Sequence, residues 1–248
     1  MSEPRSPRLA VLIDADNASA HIASGLFEEI AKIGEASVRR IYGDFSGTRL
    51  KPWADILATH AIQPHQNFAY TSGKNASDIA LVIDAMDLLH SGRFDGFCLV
   101  SSDSDFTRLA ARIREQGIDV YGFGEQKTPE SFRQACRRFF YTENLLSDAP
   151  KADEAKAPKT TALKPPSAAA PHIRKAITLL ADEDGWANLS KVGTHIRNLN
   201  TDFDSRNYGH AKLIDLVQKA GAFEVKRPKS GGAFIRAKPN PKTAKPKG

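Results

Sequence analysis

Cysteine is scarce in this sequence of 248 residues, which has two of them, and no apolar segment is long enough to span a membrane. Cys98 lies in an apolar run and Cys136 in a predicted helix, and their spacing is not that of zinc ligands. We interpret both as small buried residues, which argues against a disulfide-stabilised or zinc-dependent fold. The first apolar run, residues 9–13, is too short for a signal peptide, so we expect a cytoplasmic protein without a membrane anchor.

Acidic residues are scarce near the C-terminus, where residues 226–248 carry eight Lys and Arg but no Asp or Glu. Residues 172–248 have 15 basic and 7 acidic side chains, whereas residues 1–146 have 16 basic and 19 acidic ones. The positive excess therefore lies in the C-terminal region and is typical of a module that holds a polyanion. A basic tail that only improves solubility is the alternative explanation for part of this charge.

Aromatic residues are absent between residues 147 and 171, where Ala, Lys, Pro, Thr and Ser dominate. This composition is typical of a flexible linker. We therefore predict an N-terminal domain over residues 1–146, a linker over 147–171, a C-terminal domain over 172–237 and a disordered basic tail over 238–248.

Short apolar runs alternate with helical patterns throughout the first 146 residues. Repeated strand–helix units of this length predict an α/β fold, with a mostly parallel sheet and helices on both faces. The predicted strands cover residues 9–13, 36–42, 61–64, 97–100, 118–123 and 139–141, and the predicted helices cover residues 20–33, 50–59, 79–89, 106–116 and 130–136.

Carboxylates directly follow two of the predicted strands. Asp14 and Asn17 come after the first strand, and Asp103 and Asp105 come after the fourth, while Asp78 lies in the first turn of a helix. The carboxyl ends of parallel strands share one edge of the sheet, where α/β proteins bind their ligands. We therefore expect these five side chains to form one candidate catalytic site.

Carboxylates gathered without lysines between them repel one another, and a hard divalent cation relieves that repulsion. The sequence thus predicts a Mg²⁺ or Mn²⁺ site formed by Asp14, Asp78, Asp103 and Asp105. A cation there would activate water and neutralise a phosphodiester, as hydrolysis of a nucleic-acid backbone requires. We interpret Asp16 and Asp84 instead as capping or solvated residues.

Three motifs carry a resemblance to a known family: LAVLIDADN (residues 9–17), GKNASDIALVIDAM (residues 73–86) and LVSSDSDF (residues 99–106). In this order they resemble the NYN domain, a branch of the PIN-like nucleases. The resemblance implies a metal-dependent ribonuclease, with the four aspartates as metal ligands and Lys74 as a candidate phosphate contact. Ser102 departs from the glycine that the family often has there, a small change that we expect to be tolerated.

The C-terminal motifs GWANLSKVG (residues 185–193), FDSRNYGHAKLIDL (203–216) and FEV (223–225) resemble the OST-HTH, or LOTUS, domain. This implies a winged helix-turn-helix that binds RNA; some LOTUS domains prefer structured or G-rich RNA and others bind protein partners. The apolar motif residues are expected in the core: Trp186, Leu189, Val192, Tyr208, Leu213 and Leu216. The candidate RNA-binding residues are Lys191, Arg197, Arg206, Lys212, Lys226, Arg227 and Lys229.

Three functions remain open at this point. The first is an Mg²⁺- or Mn²⁺-dependent ribonuclease with an attached RNA-binding module, and the second is an RNA-binding adaptor that does not cut. The third is a phosphatase of the haloacid-dehalogenase type, since Asp14 and Asp16 form an Asp-x-Asp pair after a strand. That motif continues with Gly and Thr or Val, whereas Asn17 and Ala18 follow here. The sequence leaves the oligomeric state open.

Overall fold

The computed structural model of the chain describes residues 5–67, 76–146, 163–228 and 231–238. The chain divides into two units, Met1–Lys156 and Ala157–Gly248, and each of them has its own hydrophobic core. None of the helices in the described ranges combines the length and the apolar character needed to cross a membrane.

A six-stranded sheet forms the centre of the N-terminal unit, and all of its strand pairs are parallel. The strands are β1 (Arg8–Asp14), β2 (Glu35–Gly43), β3 (Gln63–Gln66), β4 (Gly96–Val100), β5 (Asp119–Gly124) and β6 (Arg138–Tyr141). Their order across the sheet is β3-β2-β1-β4-β5-β6. The chain therefore leaves β1 in one direction and returns to its other side as β4.

Helices cover both faces of this sheet, so the predicted α/β fold is confirmed. Along β1, Ala10 and Leu12 pack into one core cluster, whereas Leu9, Val11 and Ile13 pack into the other. A strand with both faces buried is an unbroken apolar run, which is the pattern that made β1 and β4 visible in the sequence. The helices of this unit are α1 (Ala23–Ala31), α2 (Lys51–Ala54), α3 (Ala76–His90), α4 (Thr107–Glu115) and α5 (Glu130–Ala135).

The predicted helix over residues 50–59 is wrong in its extent, since α2 ends at Ala54. Hydrogen-bonded turns replace the rest of it, and they end at Ala61, which has a left-handed φ of 51°. Cys98 and Cys136 are both buried and free, which confirms their interpretation as small core residues.

The C-terminal unit packs three helices against a small antiparallel sheet around one core cluster. The sheet consists of β8 (Phe223–Lys226), β9 (Phe234–Ala237) and the two-residue strand β7 (Ala187–Asn188), in the order β7-β9-β8. The elements are α6 (Ala170–Leu180), β7 (Ala187–Asn188), α7 (Leu189–Leu199), α8 (Leu213–Lys219), β8 (Phe223–Lys226) and β9 (Phe234–Ala237).

The C-terminal unit begins before residue 172, where the sequence placed the end of the linker. A 3₁₀ helix, Pro166–Ala169, leads into α6, and Ala169 is fully buried in the core of this unit. The backbone N–H of Lys164 also donates to the carbonyl of Asn207 at 3.0 Å. The residues from Lys164 to Ala169 therefore contribute to the fold, although their composition is that of a linker.

Replacement of Ala169 by Asp should destabilise the C-terminal unit, because the larger side chain overpacks the core and leaves a carboxyl without a partner. Each of these effects costs about 1–3 kcal/mol, so we expect a loss of roughly 2–6 kcal/mol. Hydrogen exchange in α6 would measure it within the full chain. Ala168→Asp is the matched control, since Ala168 is exposed. Equal exchange in both variants would contradict the packing of this segment.

Candidate active site

The strand order reverses between β1 and β4: β2 and β3 lie on one side of β1, and β4, β5 and β6 lie on the other. At such a switch point, α/β sheets have a ligand-binding crevice at the carboxyl ends of the strands. Ile13 of β1 pairs with Val100 of β4, so the next residues, Asp14 and Ser101, leave the sheet side by side. Asp78, in the first turn of α3, lines a cavity together with Asp105 and so lies at the same edge. We call this region the acidic edge and define it by Asp14, Asp16, Asp78, Asp103 and Asp105.

Asp14 is buried and its carboxylate accepts four hydrogen bonds. The backbone N–H groups of Asp16 and Asn17 donate to Oδ1 at 3.0 and 3.3 Å. The side-chain amide of Asn17 and the hydroxyl of Ser101 both donate to Oδ2 at 2.8 Å. Burial raises the pKa of Asp14, and the bonds from Asn17 and Ser101 oppose that rise without cancelling it. The predicted polar residue Asn17 thus holds the first carboxylate in place.

The loop after β4 links Asp14 to the next carboxylate. Ser101 donates to Asp14 and also accepts, through its Oγ, the backbone N–H of Asp103 at 3.0 Å. Asp103 in turn caps the 3₁₀ turn that precedes α4, since its Oδ1 accepts the backbone N–H of Asp105 at 2.9 Å. The serine at position 102 is accommodated because its hydroxyl accepts the backbone N–H of Glu125 at 2.9 Å.

Asp78 shows most directly that these carboxylates are neighbours. Burial and, after it, the negative charges of Asp14, Asp103, Asp16 and Asp105 raise the pKa of Asp78 to about 6. Four carboxylates from two other stretches of the chain, residues 14–16 and 103–105, therefore act on Asp78. An acidic side chain in the first turn of a helix is normally favoured by the helix dipole, so burial and repulsion outweigh that effect here.

The predicted metal ligands are neighbours, yet among the described residues no three acidic, His or Cys side chains are arranged to hold a metal ion. The four hydrogen bonds of Asp14 fill about all the acceptor positions that a carboxylate offers. Asp78 accepts no hydrogen bond from the described part of the chain, and Asp103 uses only Oδ1. Mg²⁺ takes one or two carboxylates and keeps several waters, so Asp78 and Asp103 fit a hydrated cation best.

Asp16 is neutralised at the rim of the acidic edge. It forms an ion pair with Arg49 and accepts a 3.4 Å hydrogen bond from the hydroxyl of Ser77. Sequence reasoning missed Arg49, because it lies 33 residues away and follows a glycine-containing loop with no strand-end signal. Its side chain is 66% exposed, so the guanidinium also faces solvent at this rim.

A second cluster fixes helix α3 to the sheet beside the acidic edge. Asp84 of α3 accepts hydrogen bonds from Arg40 and from the hydroxyl of Tyr42, both in β2. Tyr42 pairs in register with Asp14, and its ring lies 5.0 Å from that of His65 on β3. Asp84 therefore has a structural role, which positions the helix that carries Asp78.

Two cavities adjoin the acidic edge. One of about 180 Å³ includes Asp16 and Arg49 in its lining. The other, about 260 Å³, lies between the carboxylates of Asp78 and Asp105 and the side chains of Ile79, Val82, Ile83 and Phe106. Ile79 and Ile83 are 60% and 58% exposed, so an open apolar surface borders the carboxylates.

The predicted RNA-binding residues differ in how accessible their charges are to a ligand. Lys191, Lys212, Lys226 and Arg227 are exposed, and Arg197 is partly buried. Arg206 donates from Nη2 to Asp204 at 2.7 Å and from Nε at 3.1 Å, so its charge is already paired. The two lysines at positions 74 and 229, and residues 239–248 of the predicted tail, lie outside the described residues.

One predicted core residue is wrongly assigned. Leu189, Val192, Tyr208 and Leu216 are buried, and Leu213 packs against them, as predicted. Trp186 is partly exposed and takes no part in that core cluster. Its apolar character predicted burial, but the short strand β7 places it at the margin of the small sheet.

Two proteins without an assigned function are among the solved structures that resemble the chain. A protein of unknown function from Vibrio parahaemolyticus is 17% identical, with a TM-score of 0.48, and the match covers 56% of this chain and 94% of that one. An uncharacterized protein from Nitrosomonas europaea is 34% identical, with a TM-score of 0.27, over 38% of this chain and 90% of that one. No curated protein matches the chain.

Family models confirm both resemblances and their order. The OST-HTH/LOTUS domain matches residues 164–234, which includes the segment before residue 172 that packs into the C-terminal core. The NYN domain matches residues 8–146, more than half of the chain, and this range contains the whole acidic edge. The chain therefore belongs to the NYN domain family, a branch of the PIN-like nucleases, and carries an OST-HTH/LOTUS domain after it.

Proposed function

We propose that the chain is an Mg²⁺- or Mn²⁺-dependent ribonuclease that cuts at the acidic edge and holds its RNA with the C-terminal unit. The observation that carries this proposal is the gathering of five carboxylates at this crevice, where burial and, after it, the charges of the other four raise the pKa of Asp78 to about 6. A fold keeps such repulsion at a ligand crevice at a cost in stability, and a bound cation with a phosphate backbone would relieve it.

Asp78 and Asp103 are the residues that would hold the cation, because their carboxylates keep free acceptor positions. When bound, the cation would neutralise phosphate charge and lower the pKa of a water molecule. Asp14 has a structural role at the acidic edge. It accepts hydrogen bonds from Asn17, in the loop after β1, and from Ser101, in the loop after β4, and so holds the two loops together. That rigidity holds Asp103 in position for substrate.

The rim of the acidic edge suits the rest of an RNA strand. Arg49 offers an exposed guanidinium for a phosphate, and Lys74 is a second candidate from the sequence resemblance. The open apolar surface of Ile79 and Ile83 suits the sugar and base next to the reacting phosphate. Binding here would place a backbone phosphate across the carboxylates.

RNA affinity is assigned mainly to the C-terminal unit. Its residues 172–248 carry 15 basic and 7 acidic side chains, and four of the predicted RNA contacts, Lys191, Lys212, Lys226 and Arg227, are exposed. Arg206 does not belong to this surface, because its charge is paired with Asp204. The acidic N-terminal unit alone would repel a polyanion, so holding and cutting are divided between the two units.

A non-catalytic RNA-binding adaptor is the second candidate, and one observation favours it. In the described residues no metal-holding group is preformed, and the buried Asp14 is fully hydrogen-bonded within the protein. An acidic edge that had lost its cation would keep such internal bonds. Cleavage assays separate the two candidates.

Asp78→Asn should abolish cleavage and leave RNA binding unchanged or slightly tighter, because it removes one negative charge from the crevice. We expect the rate to fall roughly 10²-fold or more, as when one electrostatic contact in an active site is lost. The assay uses single-stranded and structured RNAs with Mg²⁺ or Mn²⁺ and a chelator control. Asp87→Asn, on the exposed side of the same helix, is the matched control. Binding without chelator-sensitive cleavage in the wild type would favour the adaptor.

Asp78 also predicts a pH-dependent effect on stability. Its pKa of about 6 in the folded chain lies above the ordinary value of 3.8 for an aspartic acid, so the folded state favours the protonated form. Stability is therefore lost as pH rises through 6, and above that pH the charged Asp78 is a net cost. Asp78→Asn should raise the melting temperature at neutral pH in a chelator, and the gain should vanish near pH 4. A gain independent of pH, or an equal one in Asp87→Asn, would contradict the raised pKa of Asp78.

Removal of residues 147–248 should weaken RNA binding and flatten its salt dependence. Each phosphate contact on a single strand contributes about 0.7 to the slope of log affinity against log salt. Titrations of the full chain and of residues 1–146 at several salt concentrations would measure this slope. Equal affinity and slope in the two proteins would refute the division between holding and cutting.

A further inference from the structure

Trp186 is held in a rigid turn on the outer side of the small sheet. Its backbone N–H donates to Oδ1 of Asp182 at 2.8 Å, and its carbonyl accepts the N–H of Asp182 at 2.9 Å. Gly185, with a φ of 79°, closes the turn. Trp186 directly precedes Ala187, which pairs with Ile235 of β9, so the indole starts beside the strand that carries Arg236.

Two cations lie against the indole ring. The guanidinium of Arg236 is 4.8 Å from the ring centroid, and the ammonium of Lys226 is 5.7 Å from it. Arg236 is fixed by Glu224, whose Oε2 accepts from Nη2 at 2.6 Å and from Nε at 3.1 Å. The ring and the guanidinium of Arg236 are therefore positioned before any ligand binds.

Aromatic and basic side chains share this outer face. Val225 and Ile235 point into the core, so their strand neighbours Lys226, Phe234 and Arg236 point outward. Phe234 is partly exposed and pairs in register with Lys226. We call Trp186, Lys226, Phe234 and Arg236 the wing platform.

We propose that the wing platform stacks an unpaired nucleobase of a single-stranded RNA segment, with the indole of Trp186 as the stacking surface. This rests on the proposed function, in which the C-terminal unit holds RNA, and it names the part of the RNA that is held. A partly exposed aromatic ring beside cations is the combination that proteins use on single strands: bases stack on the ring and phosphates lie against the cations.

The chemistry of the platform favours unpaired RNA over a duplex. Bases in a duplex are stacked on one another and hidden from an aromatic side chain, whereas those in loops and ends are accessible. The indole N–H of Trp186 also donates to no residue in the described part of the chain. It therefore offers a donor to a ligand beside the ring.

Intrinsic fluorescence gives a direct readout, because the sequence has two tryptophans and the other, Trp53, is only 2% exposed. The indole N–H of Trp53 is bonded to the carbonyl of Ala18, which further shields it from a ligand. A single strand of about ten adenosines, added to the full chain in a chelator, should quench the emission. A self-complementary hairpin without unpaired bases should quench it much less.

Affinity measurements on variants separate stacking from charge. Trp186→Ala should lower the affinity for the single strand about 5- to 150-fold without changing the salt slope, since no phosphate contact is lost. Trp186→Phe should retain most of the affinity. Trp186→Leu keeps apolar bulk but removes the π face, so it should bind as weakly as the Ala variant. Lys226→Ala should reduce the slope by about 0.7.

Phe27→Ala is the matched control, because Phe27 in the N-terminal unit has Arg39 at a similar distance, 4.8 Å from its ring centroid. It should leave the affinity and the quenching unchanged, and thermal melts check that each variant is folded. Full affinity in Trp186→Leu, or equal losses for single strand and hairpin, would overturn the stacking proposal while RNA binding itself stands. Absence of RNA binding by the wild type would refute the proposed function instead. Binding of a protein at the platform that Trp186→Ala abolishes, with RNA affinity intact, would also overturn the proposal.

Discussion

Repulsion between carboxylates at one edge of a parallel sheet is the constraint on which the N-terminal unit depends. Different contacts reduce this repulsion at different carboxylates. Asp14 is held by hydrogen bonds from Asn17 and Ser101, and Asp16 is paired with Arg49. Asp78 has neither kind of partner among the described residues, and burial together with the remaining repulsion raises its pKa.

Sequence reasoning predicted the sheet and its acidic edge because both follow from backbone topology. Apolar runs locate buried strands, and parallel strands place the residues after β1 and β4 at one edge whatever the side chains do. The contacts within the edge were not predictable in this way. The pairing of Asp16 with Arg49, and the four hydrogen bonds that occupy Asp14, depend on loop conformations that no periodicity encodes.

The errors in the C-terminal unit have a common physical origin. Ala169 was assigned to a linker from its neighbours' composition, and Trp186 was assigned to the core from its own apolarity. In both cases burial is decided by distant partners: the helices that cover Ala169, and the strands that bring Lys226 and Arg236 to Trp186. Composition reports average burial, whereas a small domain with one core depends on particular contacts.

The contacts of Asp84 with β2 have a mechanical consequence for the acidic edge. Arg40 and Tyr42 grip the helix at Asp84, six residues beyond Asp78, which is about 9 Å along the axis at the usual rise per residue. If α3 tilted by about 5° about Asp84, Asp78 would move by roughly 0.8 Å. Asp14 is the last residue of β1, and the hydroxyl of Ser101 connects it to the backbone of Asp103, so neither residue is carried by α3. The distance from Asp78 to Asp14 and Asp103 therefore depends on the tilt of α3.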